Sequence, residues 1–124
     1  MGSARGKSIL VVEDDPAYRR LVVRMLEDAG YSVIPAQDFA SAIAIIESDA
    51  RIDLLLADVA MPAGTPHGMA IGRMAELRRH SLKVLYMSGT YDLGELSRHS
   101  PSEKILKKPF TVRQLTDAVA QALG

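Results

Sequence analysis

The sequence predicts a doubly wound α/β domain, in which five parallel strands alternate with about five helices. Short apolar runs recur along the chain, as expected of strands that are buried on both faces of a sheet. Between these runs, apolar residues repeat every three or four positions, which is typical of helices that cover a sheet. Strict alternation of the two patterns favours parallel strands joined by right-handed crossovers.

The first strand and helix have clear boundaries in the sequence. "SILVVE" at residues 8–13 predicts the strand. Asp15 can cap the helix that follows, Pro16 suits its first turn, and Gly30 can end it. The apolar repeat in this helix comprises Leu21, Val22, Met25, Leu26 and Ala29.

The middle of the chain continues the alternation. "YSVIP" at residues 31–35 predicts the second strand, and "IDLLLAD" at residues 52–58 predicts the third. The helix between them places on one face Phe39, Ala42, Ile43 and Ile46. Prolines and glycines in residues 59–68 exclude regular structure there. A helix over residues 69–80 is expected to turn inward Ala70, Met74 and Leu77.

The last third predicts two strands and two helices. "KVLYMS" at residues 83–88 and "EKILK" at residues 103–107 read as strands. The fourth helix, within residues 91–102, should be short or irregular because that segment is poor in apolar residues. The final helix is expected to begin with a capping box from Thr111 to Gln114 and to bury Leu115, Val119 and Ala122.

Composition limits the function classes. The chain has 124 residues, which suits one domain over residues 8–124 behind a flexible leader at residues 1–7. Without cysteine it has no disulfide, thiolate zinc site or thiol nucleophile. Its 15 basic and 15 acidic residues balance, so no basic field favours direct nucleic-acid binding. The apolar runs are too short for membrane insertion. These features fit a cytoplasmic protein.

Chemically useful side chains follow four of the predicted strands. They are Glu13, Asp14, Asp58, Ser88 and Lys108. Because parallel strands end at one edge of the sheet, we expect these groups to converge. Carboxylates so close repel one another and require a cation, for which Mg²⁺ is well suited. A lysine and a hydroxyl beside them could hold a phosphoryl group, and an aspartate can accept one.

Each of these motifs and residues also has a purely structural explanation when it is considered alone. "EDDP" at residues 13–16 is a common helix cap, Asp58 could simply end a strand, and Ser88 could lie in a turn. "KKPF" at residues 107–110 could be a solvated strand end. Their joint placement at successive strand ends favours a functional site. The three histidines have no ligand spacing and are interpreted as surface residues: His67, His80 and His99.

The motifs "ILVVEDDP", "DLLLADVAMP", "VLYMSGT" and "KKPF" occur in an order and at a spacing that resemble the receiver domains of two-component response regulators. The resemblance runs from Ser8 to Leu123. It implies a flavodoxin-like sheet with strand order 2-1-3-4-5. It also implies that Asp58 accepts the phosphoryl group, that Ser88 and Lys108 contact that group, and that the peptide bond before Pro109 is cis.

The same resemblance implies a magnesium site. Its ligands would be Glu13, Asp14, Asp58 and the carbonyl of Ala60, with Asp14 binding directly and Glu13 through water. The implied phosphodonor is a histidine kinase or histidine phosphotransfer protein, and the output is an unknown downstream protein, with a homodimer possible. Such a domain is not a conventional enzyme; at most it catalyses its own magnesium-dependent phosphorylation and dephosphorylation.

Three departures from the family pattern bear on signalling. Ile105 stands where the family usually has a switch aromatic, residues 59–68 form a loop about two residues longer than usual, and the helix within residues 91–102 is short. Because of Ile105, an alternative is a degenerate receiver that binds its partner regardless of phosphorylation, although the intact Asp58, Ser88 and Lys108 argue against it. A dehalogenase-like phosphatase is a third possibility, but its D-x-D motif after the first strand is missing here.

Overall fold

Five strands and four helices alternate along the residues that this computed structural model describes, 6–60, 68–89 and 104–124. The strands are β1 (Ser8–Val12), β2 (Ser32–Ala36), β3 (Leu54–Asp58), β4 (Lys83–Ser88) and β5 (Lys104–Lys107). The helices are α1 (Pro16–Asp28), α2 (Phe39–Ile46), α3 (Gly68–Arg78) and α4 (Val112–Leu123). None of these helices has the length and apolar character needed to cross a membrane. The predicted fourth helix and most of the long loop lie outside the described residues.

The strands form one parallel sheet in the order β2-β1-β3-β4-β5, which confirms the predicted topology. Val12 of β1 pairs with Ala57 of β3. The residues that come next, Glu13 just after β1 and Asp58 at the end of β3, therefore lie at the same level of the sheet. Ser88 pairs with Lys107 at the end of β4 and β5. The register therefore carries the predicted functional residues to one edge.

Apolar side chains cover both faces of the sheet. Residues of the central strands alternate between two hydrophobic clusters, as the pleat of a strand requires. One cluster packs under α2 and α3 and includes Leu10, Val12, Leu55, Ala57 and Tyr86. The other packs under α1 and α4 and includes Ile9, Val11, Leu54, Leu56, Leu85 and Met87. Burial on two faces explains why the strands are almost wholly apolar in sequence.

The predicted helix ends are confirmed. The carboxylate of Asp15 accepts a hydrogen bond from the amide of Ala17 at 3.0 Å and so caps α1. Gly30 follows this helix with a φ of +99°, a conformation that glycine adopts without strain. Both hydrogen bonds of the capping box between Thr111 and Gln114 are present at the start of α4.

The predicted inward face of α3 is wrong. Ala70 and Met74 are only half-buried, and Leu77 is 76% exposed. The buried face consists instead of Gly68, Met69, Ile71, Gly72 and Ala75. Small residues at helical spacing let the helix backbone approach the sheet closely, and this contact decides the rotation of the helix. Leu21 of α1 is likewise 47% exposed, although it belongs to the apolar repeat of that helix.

Gly72 of α3 lies in close contact with the sheet. The phenol oxygen of the buried Tyr86 occupies the position that a Cβ atom on Gly72 would need. The same hydroxyl donates to the carbonyl of Met69 at 3.5 Å. The Tyr86 side chain of β4 thus fills the space that the missing side chain of Gly72 leaves on α3, and a larger residue at position 72 would close this notch.

This contact makes the effect of Gly72→Ala depend on Tyr86. We expect the clash to cost about 1 to 3 kcal/mol of unfolding free energy, offset in part by about 1 kcal/mol of improved helix propensity. In a Tyr86→Phe background, which lacks the clashing oxygen, the same substitution should cost less. Urea unfolding of the four proteins in this double-mutant cycle measures the coupling. Equal costs in both backgrounds would show that the Tyr86 hydroxyl does not exclude a side chain at position 72.

Candidate functional site

Three carboxylates meet where β1 and β3 end. Glu13, Asp14 and Asp58 each place one oxygen within 4.8 Å of the other two. Glu13 is 1% exposed and Asp58 is 5% exposed, whereas Asp14 lies in solvent. Burial weakens the screening of their mutual repulsion, so the cluster needs a positive charge close by.

Lys108 supplies that charge from beyond β5. Its Nζ donates to Oε1 of Glu13 at 2.7 Å and to Oδ2 of Asp58 at 3.0 Å. These contacts join residues that are 95 and 50 positions apart in the chain, so they exist only in the folded protein. The peptide bond between Lys108 and Pro109 is cis, as the resemblance implied.

The ion pair with Lys108 does not fully offset the desolvation of the Glu13 carboxylate. Desolvation raises the pKa of Glu13 from 4.5 to about 7, with the charge of Asp58 acting in the same direction and the hydrogen bond from Lys108 opposing both. At Lys108, desolvation lowers the pKa, but the hydrogen bonds and charges of the two carboxylates outweigh it, and the pKa is raised. Removal of the lysine would therefore leave two buried carboxylates without their counter-ion.

Main-chain groups fix the orientation of the carboxylates. The amide of Asp15 donates to Oε2 of Glu13, and the amide of Ala60 donates to Oδ1 of Asp58, both at 3.1 Å. Each hydrogen bond comes from an amide two residues further along the chain. Within the described ranges, every buried side-chain nitrogen and oxygen has a hydrogen-bond partner. The carboxylates are thus held by local turns as well as by Lys108.

Ser88 lies at the end of β4, fully buried. Its hydroxyl donates to the carbonyl of Gly89 at 3.1 Å, while its own carbonyl accepts from the amide of Lys108 at 2.7 Å. The amide of Val59 in turn donates to the carbonyl of Met87 at 2.9 Å. These main-chain bonds hold the segments that follow β3, β4 and β5 side by side at the site.

Two residues of α1 also reach the site, and neither was predicted from the sequence. Nη1 of Arg19 donates to the carbonyl of Glu13 at 2.8 Å. Nζ of Lys108 lies 4.5 Å from the centre of the Tyr18 ring, in cation–π geometry. The Tyr18 and Phe110 rings meet edge to face, with 5.8 Å between ring centres and an interplanar angle of 71°. Their position one turn beyond the acidic residues was the only available signal, because contact with Lys108 depends on tertiary structure.

Gly68 allows the loop after Asp58 to return tightly to the site. A Cβ atom at this position would overlap the carbonyl group of Asp58. The amide of Gly68 donates to the carbonyl of Val59 at 3.1 Å, which closes the loop at its base. The first residue of α3 therefore packs directly on the backbone that carries Asp58.

The predicted site residues fall into two groups. Glu13, Asp14, Asp58 and Lys108 come together as expected, and Ala60 binds the carboxylate of Asp58 through its amide. Ser88 lies on the adjacent strand, with its hydroxyl directed to the main chain. Of the histidines, His80 is exposed, and the other two, His67 and His99, lie outside the described residues.

The arrangement fits a hard divalent cation. Three carboxylates from two neighbouring loops offer oxygen ligands within a few ångströms of one another, and one of the three is open to solvent. Mg²⁺ is commonly held by one or two carboxylates and keeps part of its water shell. Fold and site together thus define an α/β domain with an acidic cluster, suited to a divalent cation, beside a partly buried lysine.

Comparison with known proteins gives the family. The model of the response regulator receiver domain matches residues 9–120. Response regulator receiver protein CpdR of Brucella abortus (strain 2308) is 34% identical over 119 residues, covering 94% of this chain and 97% of that protein. Sensor kinase CckA of the same strain is 31% identical over 120 residues, and there the chain spans 94% of its own length but 12% of the kinase. The chain therefore belongs to the response regulator receiver domain family.

Solved structures agree with this assignment. A response regulator receiver protein from Sinorhizobium medicae WSM419 superposes with a TM-score of 0.84 at 32% identity, covering 94% of each chain. The receiver domain of the hybrid histidine kinase CckA gives a TM-score of 0.77 at 32% identity, covering 94% of this chain and 99% of that one. The same fold thus occurs as a receiver protein and as a domain of a kinase.

The raised pKa of Glu13 predicts a specific pH dependence of stability. Between about pH 4.5 and about pH 7 the folded state holds a proton that the unfolded chain has lost. The metal-free protein should therefore lose stability as the pH rises through this window, by up to about 3 kcal/mol. Urea unfolding at several pH values measures the slope.

Glu13→Gln should flatten this slope, because glutamine resembles the protonated carboxyl in shape and does not titrate. Glu27→Gln, at an exposed position of α1, is the matched control and should keep the wild-type slope. A Glu13→Gln protein whose stability falls with pH as steeply as the wild type would show that Glu13 ionises normally.

Proposed function

We propose that this protein is a phosphoacceptor domain of a two-component system, in which Asp58 receives the phosphoryl group. The observation that carries this proposal is the bridge from the Lys108 ammonium to the buried carboxylates of Asp58 and Glu13. A partly buried lysine beside a carboxylate nucleophile can stabilise negative charge that arrives with a phosphoryl group. We further propose that residues 8–124 form this domain.

Mg²⁺ is the proposed cofactor. Glu13, Asp14, Asp58 and the carbonyl of Ala60 would hold it, with Asp14 as the more direct ligand because it is open to solvent. When bound, Mg²⁺ neutralises charge on the carboxylates and on phosphoryl oxygens. This role is supported by the oxygen-rich donor set and by the incomplete compensation of charge at Glu13.

The reaction needs a nucleophile, a cation that stabilises the charge of the phosphoryl group, and a hydroxyl that binds the phosphoryl group after transfer. A carboxylate oxygen of Asp58 forms the bond to phosphorus while the phosphorus–nitrogen bond of a donor phosphohistidine breaks. The Lys108 ammonium, 3.0 Å from Oδ2 of Asp58, is placed to pair with the transferred group. The Ser88 hydroxyl would exchange its bond to Gly89 for one to a phosphoryl oxygen.

The proposed phosphodonor is a histidine kinase or a histidine phosphotransfer protein. This proposal is supported by the similarity to the receiver parts of sensor kinases, among them CckA and the sensor protein GacS of Pseudomonas syringae. The output would be binding of an unknown downstream protein or of a second copy, in the cytoplasm and without direct contact to nucleic acid. Enzymatic activity would be limited to the chain's own phosphorylation and dephosphorylation.

Signal relay should differ from the usual family pattern at Ile105. This residue is partly buried and packs against the cluster that contains Tyr86, its partner across β4 and β5. An aliphatic side chain here cannot serve as a rotating aromatic switch. The alternative of a phosphorylation-independent binding module rests on this one position, whereas Asp58, Ser88 and Lys108 all favour phosphorylation.

Phosphorylation can be tested directly by intact mass spectrometry. Acetyl phosphate and Mg²⁺ should add one phosphoryl group to the wild-type protein, and removal of Mg²⁺ with a chelator should prevent the addition. Asp58→Asn should abolish the adduct, since an amide oxygen is a poor nucleophile.

Asp28→Asn is the matched control, because Asp28 is an exposed aspartate of α1 that pairs only with Arg24 among the described contacts. It should react as the wild type does. An adduct of equal yield on folded Asp58→Asn protein would place the acceptor elsewhere, and no adduct on the wild type with any small donor would overturn the proposed function.

A further inference from the structure

Tyr18 lies against the one lysine that reaches the acidic cluster in the described part of the chain. Its ring centre is 4.5 Å from Nζ of Lys108, and the ring packs edge to face with Phe110, which is only 9% exposed. Tyr18 stands in the first turn of α1, directly after the Asp15 cap, so the helix start fixes its backbone. The position of the ring is therefore determined by the start of α1 and by contacts with the segment that carries Lys108 and Phe110.

We propose that Tyr18 is a positioning residue, whose ring holds the Lys108 ammonium beside Asp58 and thereby increases the rate of phosphoryl transfer to Asp58. The rate effect rests on the proposed function, whereas the placement of the lysine does not. Tyr18 itself touches no reacting atom; it acts through Lys108.

The reason lies in the flexibility of lysine. A lysine ammonium sits on a four-carbon stem with many rotamers, and a contact that restricts them reduces the entropy lost when the ammonium pairs with its target. In the ground state, Glu13 and Asp58 provide that restriction through ion pairs. Both carboxylates belong to the proposed reaction, one as a magnesium ligand and one as the nucleophile.

The contact with Tyr18 is of a different kind. Once Asp58 is phosphorylated, its negative charge is carried by the phosphoryl oxygens instead of the carboxylate, so the ionic partner of the ammonium changes. An uncharged aromatic ring takes part neither in metal binding nor in phosphorylation. The ring can therefore hold Lys108 close to Asp58 before, during and after transfer, while the ionic partners change.

The orientation of the ring agrees with this role. Phe110 follows Lys108 by two residues and meets the Tyr18 ring at 71°, an edge-to-face arrangement that aromatic pairs favour. The two rings tie α1 to the segment after β5, and the ammonium lies over the Tyr18 ring. The side chain of Lys108 is 21% exposed in this arrangement.

Three variants separate the ring from the hydroxyl and from general loss of packing. Tyr18→Leu removes the ring, Tyr18→Phe keeps it, and Tyr31→Leu removes another tyrosine from the same hydrophobic cluster. Two quantities are measured on each folded protein. The first is the ¹H chemical shift of the Lys108 ε-methylene group, which a nearby ring moves upfield, and the second is the phosphorylation rate with acetyl phosphate at saturating Mg²⁺.

Tyr18→Leu should return the Lys108 resonance to its ordinary position and slow phosphorylation about five- to thirtyfold, which corresponds to about 1 to 2 kcal/mol. Tyr18→Phe should restore the upfield shift and most of the rate. Tyr31→Leu should leave both quantities near the wild-type values.

Two results would overturn the proposal. One is an unchanged Lys108 resonance in folded Tyr18→Leu, which would show that the ring does not hold the lysine. The other is a wild-type rate in a Tyr18→Leu protein whose Lys108 resonance has moved. If instead no variant, the wild type included, is phosphorylated, the proposed function and the rate effect both fail, while the Lys108 resonance still decides whether Tyr18 holds the lysine.

Discussion

Repulsion among three carboxylates at one edge of the sheet is the constraint on which the rest of the structure depends. Glu13 and Asp58 are almost fully buried, and Asp14 lies next to them, so their charges interact through a medium that screens poorly. The Lys108 ammonium offsets part of this repulsion, yet the pKa of Glu13 stays raised. A cluster that one lysine cannot neutralise is suited to bind a further cation.

The fold holds these charges in place through main-chain contacts. Parallel pairing sets the level at which β1 and β3 end, and Gly68 and Gly72 let α3 pack closely on β3 and β4. Such contacts do not depend on the charge state of the site. Under the proposed function, the carboxylates would exchange a lysine for a metal, or gain a phosphoryl group, on a sheet that stays the same.

The sequence predicted the parts of this molecule that depend on local patterns. Strand positions, the Asp15 cap and the convergence of Glu13, Asp58 and Lys108 all follow from periodicity and from the rule that parallel strands end together. The rotation of α3 was mispredicted, because Gly68 and Gly72 let a different face pack closely on the sheet, whereas the apolar pattern placed Leu77 inward.

Pairings such as that of Tyr18 with Lys108 escaped prediction because they join distant parts of the chain. The most direct test of the central claim, that Lys108 and the metal compensate the same carboxylates, is a Mg²⁺ titration of wild-type and Lys108→Met protein by calorimetry, above the pKa of Glu13. Competition for the same charges predicts that the variant binds Mg²⁺ at least about tenfold more tightly. Equal or weaker binding by a folded Lys108→Met protein would contradict that claim.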